Sequence, residues 1–410
     1  MTSAAHVIWP SSRRPQAACD DLAVTAVRPS RPRSPWAGDD HELFRETVRA
    51  WIEREILPND ERWQERGYVD AELWRSAGEA GLLGTDVPAE HGGLGGDFGF
   101  ECVIYEELLH AGFACFGKGV HEIATHYVLE YGNDEQRAAW LPRLVGGELV
   151  GAIAMTEPGA GSDLRGISTS AVRDGGHYVV NGSKTFITNG LHATLICLVV
   201  RTDLEAGSQG YTLLMVETEG LEGFTRGQPL HKLGQHAQDT CELHFTDCRV
   251  PVAASLGEGQ GLYHLMQQLP YERTIVAVMA VSALERVIAD TVAYAQERHA
   301  FGKPLMALQN TRFKLAEAHT AATIGRVFVD HCIARVIDGT LDAVTASMAK
   351  WWLTAQQWRQ IDECLQLFGG YGYMLEYPVA RAFLDARVQT IYAGSNEIMK
   401  EIVARSLERE

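Results

Sequence analysis

The chain has 410 residues, of which 46% are hydrophobic and 22% are charged, and its formal net charge is -17. This length allows two or three structural units around a substantial core, and the composition is ordinary for a globular protein. The negative charge argues against nucleic acid or an anionic membrane surface as partners, and without a long apolar run no membrane span is expected.

Eight cysteines are scattered along the chain without the CxxC spacing of a zinc or redox site. This pattern predicts reduced thiols in a cytoplasmic protein rather than a disulfide framework. The pairs His121/His126 and His231/His236 are each five residues apart, which does not place two ligands on one helix face. No metal site is therefore expected.

Residues 1–38 mix Pro, Arg and Ser with little periodic hydrophobicity. Such a segment buries too little apolar surface to offset the entropy lost on ordering, which predicts a disordered N-terminal extension. A cleaved transit peptide is the alternative, because Arg and Ser are present and acidic residues are few. The lack of an evident amphipathic helix favours the disordered tail.

Residues 39–150 are predicted to form an N-terminal helical domain. From His41 onward, Leu43, Phe44, Val48, Trp51 and Ile52 recur at three- and four-residue spacings, as one buried helix face requires. Further helices are predicted at about 71–82, 98–112, 119–131 and 134–144.

Residues 151–255 change character and are predicted to form a middle β domain. The segments 178–180 and 185–187 flank Asn181-Gly182, which predicts a hairpin with a type I′ turn. Further strands are predicted at 195–200, 211–216 and 241–245.

Residues 256–410 return to long helices, predicted at about 260–298, 307–337, 342–368, 378–387 and 396–408. Apolar residues on several faces of the first of these indicate a helix buried in a bundle. The predicted fold is therefore mainly α with a central β domain, and the C-terminal helices form a four-helix bundle.

A glycine-rich block with Thr, Ser and Asp stands just before the predicted strands, at 154–164. Glycines allow backbone amides to approach a polar cofactor closely, although a plain surface loop has the same composition. The block closely resembles a signature of the acyl-CoA dehydrogenase family. Further blocks resemble that family in its own order, so that the resemblance covers about 41–410; they lie at 182–189, 239–240, 247–251, 298–303, 366–373 and 391–399.

The resemblance implies the fold of that family and FAD as the cofactor. Met155 and Thr156 should meet the pyrimidine edge of the flavin ring, Ser162 should lie near the pyrophosphate, and Phe186 and Thr188 should contact the ring. The adenosine diphosphate half should be held by Arg298, Phe301 and Gln309, together with Gln366, Gly369 and Gly370 from a neighbouring subunit. Ser395 and Glu397 should also lie along the cofactor.

The position of the catalytic base differs within the family. Many members carry a glutamate directly after the tyrosine of block 391–399, where this chain has Ala393. Glu272 opens an otherwise apolar helical run, where an unpaired charge would cost stability and so needs a reason. The segment 269–273 resembles the branch of the long-chain and isovaleryl enzymes, whose base lies on this helix, and long-chain members match better at 346–352 and 396–405. Glu272 is therefore the predicted base.

One other interpretation of Glu272 and two other acids, neither of which displaces it, stand against this prediction. Glu272 could instead be exposed near a bend or paired with a basic residue. Glu157 precedes a proline and is expected to be structural. Glu397 follows Ser395 and Asn396, two possible caps, and is expected to serve a helix N-terminus.

The resemblance implies conversion of an acyl-CoA to its trans-2-enoyl form, a reaction of fatty acid metabolism, with electron-transferring flavoprotein as electron acceptor. Substrate contacts are expected from Ser162, Arg273, Tyr392, Ala393 and Gly394, and the Ala393 amide should help to polarise the thioester carbonyl. A biosynthetic enzyme acting on an acyl carrier protein is the close alternative, and a helical protein that has lost FAD is the distant one. A homodimer or homotetramer is expected.

Overall fold

The computed structural model describes residues 32–408. Residues 1–31 of the predicted disordered extension thus lie outside the described residues. Its last part, 32–38, lies against the folded chain, because Trp36 Nε1 donates a hydrogen bond of 2.9 Å to Asp330 Oδ1. The predicted tail therefore extends too far by these residues.

Six α-helices precede the sheet within the described chain. They are α1 (Asp39–Trp51), α2 (Asp60–Arg66), α3 (Glu72–Glu79), α4 (Phe98–His110), α5 (Lys118–Tyr131) and α6 (Asp134–Val145). Helix α6 shows why these segments begin where they do. Asn133 accepts from the Gln136 amide at 2.8 Å, and the Gln136 side chain accepts from the Asn133 amide at 2.9 Å. This capping box satisfies amides that have no partner inside the helix.

The predicted buried face of α1 is correct for Val48 but wrong for Leu43, whose side chain is 67% exposed. The buried side runs through Arg45, which forms ion pairs with Glu106 and Glu107 of α4 at 2.9 and 2.8 Å. Two residues rotate a helix by about 200°, so Leu43 points away from the side that Arg45 occupies. The buried face of α1 therefore includes an ion-paired arginine, and the prediction from hydrophobicity alone placed Leu43 on that face instead.

A seven-stranded sheet follows. Its strands are β1 (Gly151–Ala154), β2 (Ser170–Asp174), β3 (His177–Thr188), β4 (Leu195–Arg201), β5 (Tyr211–Glu217), β6 (Phe224–Arg226) and β7 (Thr240–Pro251). Their order is β1-β4-β2-β3-β7-β6, with β5 pairing antiparallel to β4. Strands β1 and β4 are parallel, and the long β3 and β7 are antiparallel.

The hairpin predicted around Asn181-Gly182 is wrong, because β3 is continuous from His177 to Thr188. The turn lies earlier, between the antiparallel β2 and β3. Asn181 instead lies at a bulge in the pairing with β7, where its side chain both donates to and accepts from Asp247 at 2.9 Å. A Cβ at Gly182 would lie 2.5 Å from Thr169 Oγ1, so glycine is required there. The Asn-Gly pair serves a bulge rather than a turn.

Five helices complete the described chain: α7 (Gly261–Glu297), α8 (Gln309–Ile337), α9 (Ala343–Phe368), α10 (Pro378–Ala386) and α11 (Asn396–Leu407). A two-stranded hairpin, β8 (His299–Ala300) and β9 (Lys303–Pro304), separates α7 from α8. Helix α7 packs against α8 and α9, and α11 packs along α9, which forms the bundle. On its other side α7 packs against α4 and α5. Helical N- and C-terminal domains therefore flank a central β domain, as predicted.

The burial of α7 on several sides explains why apolar residues occur on several of its faces. Ile275, Ala277, Val278 and Val281 are all buried, although they do not lie on one face. The prediction of a helix buried on several sides is confirmed. Within residues 32–408 none of the helices combines the length and the apolar character needed to cross a bilayer.

Candidate active site

Glu272 lies inside α7 and is only 4% exposed. Its Oε1 accepts a hydrogen bond of 3.0 Å from the Tyr127 hydroxyl of α5. Arg273, the next residue, donates at 3.1 Å to Ser347 Oγ of α9 rather than to Glu272. Glu272 is thus neither exposed at a bend nor bound to a basic side chain.

The surroundings of Glu272 make its carboxyl group basic. Burial raises its pKa to about 7, against the hydrogen bond from Tyr127 and the charge of Arg273, which act to lower it. Desolvation disfavours the charged form of an acid, and a pKa near the operating pH is what a general base needs. A buried acid with a strongly shifted pKa is also a candidate functional residue on physical grounds.

The loop that contains Ala393 and Gly394 lies beside Arg273. A Cβ at Gly394 would stand 3.9 Å from Arg273 Nη2 and 2.6 Å from Met399 Cε, so a side chain there would force Met399 to move. Ala393 has φ of 51° and Gly394 has φ of 85°, a left-handed conformation that is unusual for alanine. The preceding Tyr392 is half-buried, and burial raises the pKa of its phenol. The chain therefore brings the loop next to the Glu272–Arg273 segment across more than a hundred residues.

A buried lysine holds this loop in place. Lys350 Nζ of α9 donates at 2.7 Å to the Gly394 carbonyl and at 3.1 Å to Asn396 Oδ1. Burial and the nearby charge of Arg273 lower the pKa of Lys350 to about 7. Ser395 caps α11, accepting from the Ile398 amide at 3.4 Å, as its sequence predicted.

The loop after β1 is bonded to the end of β3. The Met155 carbonyl accepts from Lys184 Nζ at 3.1 Å, and the Thr156 carbonyl accepts from the Thr185 amide at 2.9 Å. Met155 also packs against the apolar cluster that contains Tyr127, the partner of Glu272. The two segments with predicted flavin-edge residues are therefore joined to each other and reach the surroundings of the predicted base.

Glu157 has a structural role. It accepts from the backbone amides of Ser168 and Thr169 at 2.7 and 2.9 Å and from Lys184 Nζ at 2.9 Å. Burial acts to raise its pKa, but these hydrogen bonds outweigh it and lower the pKa to about 2. A carboxylate held in this way does not accept a proton near neutral pH, so Glu157 does not compete with Glu272 as a base.

Two predicted cofactor residues are phenylalanines in unusual positions. Phe186 is 67% exposed and Phe301 is 93% exposed, and both have positive φ, 58° and 54°. Exposed aromatic rings on a left-handed backbone indicate surfaces that another molecule covers. Thr188 lies two residues beyond Phe186 and is half-buried, whereas Ser162 is exposed in the loop after β1.

Four residues of the predicted diphosphate end meet around one cavity of about 460 Å³. Arg298, directly after α7, lines it together with Gln366 near the end of α9 and Gly369 and Gly370 just after that helix. A Cβ on either glycine would contact nothing within 4 Å, so the backbone is open to a ligand. Gln309, at the start of α8, and Glu397, in α11, are exposed and do not line this cavity.

Arg298 and Glu272 are far apart within one chain. Glu272 lies within the continuous helix α7, and Arg298 follows its last residue, 26 positions further along the chain. At 1.5 Å per residue the two positions are about 39 Å apart along the helix axis. The structure does not bring these two predicted site residues to one ligand in a single chain.

Three family models match the chain along nearly its whole length. They are the N-terminal, middle and C-terminal domains of acyl-CoA dehydrogenase, at residues 38–148, 152–248 and 259–408. The chain belongs to the acyl-CoA dehydrogenase family. Its members are FAD-dependent oxidoreductases that act on acyl-CoA.

Named relatives come from the branch that the sequence resembles. The long-chain specific acyl-CoA dehydrogenase of Sus scrofa is 45% identical over 90% of this chain and 86% of its own length. The isovaleryl-CoA dehydrogenase of Solanum tuberosum is 35% identical over 91% of each chain. A crystal structure of acyl-CoA dehydrogenase from Geobacillus kaustophilus has a TM-score of 0.89 at 46% identity, covering 92% of this chain and all of the other.

The residues of this chain fit FAD. Exposed Phe186 offers a flat apolar face to a ring system, and the cavity at Arg298 offers a guanidinium beside open glycine backbone. Guanidinium groups and bare backbone amides are the usual partners of phosphate oxygens. In the described part of the chain no group of three or more His, Cys, Asp or Glu could hold a metal ion.

Sequence reasoning missed Tyr127 and Lys350. Tyr127 is an ordinary aromatic residue within an amphipathic helix, and its partner lies 145 residues further along the chain. Lys350 could have been found, because it is a lone charge in the apolar stretch 346–352. A lone charge there is the same signal that identified Glu272.

Replacement of Arg298 is expected to weaken FAD binding. Arg298→Ala removes a cation from the cavity and should lower FAD affinity about 10- to 100-fold, since a hydrogen bond to a charged group contributes about 1.5–3 kcal/mol. Flavin absorbance per protein after dialysis measures the loss. Arg405→Ala, which removes an exposed arginine paired with Glu401, is the control and should retain FAD. Equal FAD content in both variants would contradict the assignment.

Proposed function

We propose that this protein oxidises an acyl-CoA to its trans-2-enoyl form, with Glu272 as the base that removes the α-proton. The observation that carries the proposal is the burial of Glu272 in an apolar site with a pKa raised to about 7. The loop at Ala393, where many family members carry their acid, lies beside Arg273 but supplies no carboxylate. Glu272, directly before Arg273 in α7, is the acid that we assign to this role.

Different residues of the chain have different proposed roles in the reaction. Glu272 takes the proton from Cα, and the electron pair of that bond forms the new double bond as a hydride leaves Cβ. FAD, when bound, supplies the acceptor for that hydride. The left-handed Ala393–Gly394 backbone, held by Lys350, offers the Ala393 amide to the thioester oxygen, where developing negative charge needs a fixed donor. Arg273, whose Nη2 lies 3.9 Å from a Cβ built on Gly394, and Tyr392, which directly precedes Ala393, are the proposed neighbours of the substrate.

The cofactor is proposed to run across two subunits. Met155, Thr156, Phe186 and Thr188 would hold the ring end, with Ser162, Ser395 and Glu397 along its length. Arg298 and the residues around its cavity, with Phe301 and Gln309, would hold the diphosphate end of a cofactor that belongs to a second copy. The separation of about 39 Å between Glu272 and Arg298 supports this arrangement.

A homodimer or homotetramer follows from this arrangement. Helix α8 exposes Phe313, Ile324 and Val327 by 58%, 55% and 68%, and the turn after α9 exposes Tyr373 by 84%. Large apolar side chains grouped in this way are typical of an interface rather than a free surface. Electron-transferring flavoprotein is the proposed acceptor of the electrons.

The substrate is proposed to be a coenzyme A thioester, with long acyl chains as the first to test, because the pig relative is specific for long chains. The relatives reported above are named for acyl-CoA substrates and none for an acyl carrier protein. The carrier-protein alternative therefore has no support.

The decisive experiment is anaerobic mixing of the FAD-loaded protein with short, medium, long and branched acyl-CoA. The flavin absorbance should bleach with at least one of them, and mass spectrometry should find the enoyl product lacking two hydrogens. Acyl carrier protein loaded with the same chains should bleach the flavin far more slowly. Absence of bleaching with every acyl-CoA would overturn the proposed function.

The raised pKa of Glu272 predicts how this activity depends on pH. An exposed glutamate has a pKa of 4.5, whereas Glu272 holds its proton up to about 7. The base form therefore appears as pH rises through 7, so the rate should increase about tenfold per unit below that pH and level off about one unit above it. Flavin reduction measured by stopped flow checks this. A rate that does not change across this range would contradict the assignment.

A further inference from the structure

Two consecutive residues of α5 contact two consecutive residues of α7. The Tyr127 hydroxyl donates to Glu272 Oε1 at 3.0 Å. One residue earlier, the His126 ring stacks on Tyr271 with centroids 4.1 Å apart and planes at 24°. His126 is itself fixed by Asp86, whose carboxylate lies 2.9 Å from its Nε2. The α5 pair therefore fixes the position of the α7 pair.

The two oxygens of the Glu272 carboxylate are held unequally. Oε1 has the hydrogen bond from Tyr127, whereas none of the hydrogen bonds among residues 32–408 reaches Oε2. Arg273 is turned towards Ser347 and does not offset the difference. One oxygen is thus fixed by a donor, and the other keeps its lone pairs free.

We propose that Tyr127 is a positioning residue for the reaction, and that by holding Oε1 it makes Oε2 the atom that accepts the α-proton. The proposal rests on the proposed function, because it takes Glu272 as the base. The proton passes from substrate Cα to Oε2, and the Tyr127 hydroxyl keeps its own proton throughout. Burial raises the pKa of Tyr127 well above its ordinary value, so the hydroxyl stays a donor at neutral pH.

The hydrogen bond also tunes the base. A donor to the ionised carboxylate favours that form, so loss of the hydroxyl should make Glu272 harder to ionise. Other titratable or charged groups face Glu272 from α5, β4 and α7, namely Tyr131, Cys197 and Arg273. Burial raises the pKa of both Tyr131 and Cys197, which keeps them neutral near pH 7. Lys350 faces Arg273 and titrates near pH 7, so the test must change only the Tyr127 hydroxyl.

Tyr127→Phe makes that change. Tyr127 is fully buried in an apolar cluster, so the phenylalanine ring keeps the packing and loses only the hydroxyl. The pH midpoint of flavin reduction should move up by about one to two units, because a hydrogen bond to a charged group contributes about that much. At pH 7 kcat should fall about 5- to 50-fold, with KM little changed, and recover at higher pH.

A substitution of opposite sign keeps the proposal testable if the phenylalanine variant folds poorly. Difluorotyrosine at position 127 is a stronger donor and should move the midpoint to lower pH. Tyr178→Phe, which alters a buried tyrosine in the core of the sheet, is the matched control and should leave the profile in place.

The outcomes separate the two claims. If Glu272→Gln retains α-proton removal, the base assignment fails and the role of Tyr127 fails with it. If Glu272→Gln is inactive but both Tyr127 variants keep the wild-type midpoint and kcat, the role of Tyr127 alone is overturned. Opposite shifts in the two Tyr127 variants, with KM unchanged, are the expected result.

Discussion

Glu272→Gln is expected to retain FAD and bind acyl-CoA, but to reduce its flavin about 10²- to 10⁴-fold more slowly than the wild type. Glutamine keeps the shape of the side chain and can still contact Tyr127, but it cannot accept a proton at neutral pH. General-base catalysis contributes about 10²–10⁴-fold to a rate, and glutamine supplies none of it. Stopped-flow absorbance with an excess of acyl-CoA measures the effect.

The control for this variant is Glu401→Gln, which removes a carboxylate from the exposed face of α11. It should match the wild type in rate, FAD content and substrate affinity. Glu272→Gln should also unfold at the wild-type urea concentration or a higher one, because it removes a group whose ionisation in the buried site is costly. Near-normal flavin reduction in Glu272→Gln would contradict the base assignment.

Lys118→Met is expected to lower the free energy of unfolding by about 3–5 kcal/mol, the usual cost of leaving buried charges without their partner. Lys118 is fully buried between Glu101 and Glu122, forming ion pairs with both, and the Glu122 contact is 2.9 Å. Those two acids in turn hold the chain before α4: Glu122 accepts from the Gly84 amide and Glu101 from the Thr85 hydroxyl. Methionine would leave two buried carboxylates facing each other.

Urea unfolding followed by circular dichroism measures the loss. Arg405→Met, which breaks an exposed ion pair in α11, should cost less than about 1 kcal/mol. Adding Glu122→Gln to Lys118→Met should recover part of the stability, because it removes one of the unpaired charges. A Lys118→Met protein that unfolds at the wild-type urea concentration would show that the ion pairs do not stabilise the fold.

The fold was accessible from sequence where the signal was local and regular. The helices of both ends and most strands follow apolar periodicity, and Ser395 caps α11 as its side chain suggests. The prediction of a hairpin at Asn181-Gly182 was wrong because local turn preference cannot detect Asp247, which bonds to Asn181 from another strand. The prediction that Leu43 is buried was wrong for a similar reason, since ion pairs to α4 determine the buried side of α1.

The candidate site was partly accessible. Glu272 could be singled out as an acid within an apolar helix, but its raised pKa depends on burial by elements that lie far away in the sequence. Tyr127 gave no signal of its own, because a tyrosine in an amphipathic helix normally packs in the core. Contacts between distant segments decide which polar groups meet, and no spacing rule within one segment reports them.

The most direct measurement of the central claim is exchange of the substrate α-proton. Wild-type protein and Glu272→Gln, both loaded with FAD, are incubated anaerobically with acyl-CoA in D₂O, and deuterium at Cα is followed by mass spectrometry. Incorporation is expected with the wild type and none above background with the variant, although both retain FAD and bind the substrate. Exchange by Glu272→Gln at the wild-type rate would show that another group removes the proton.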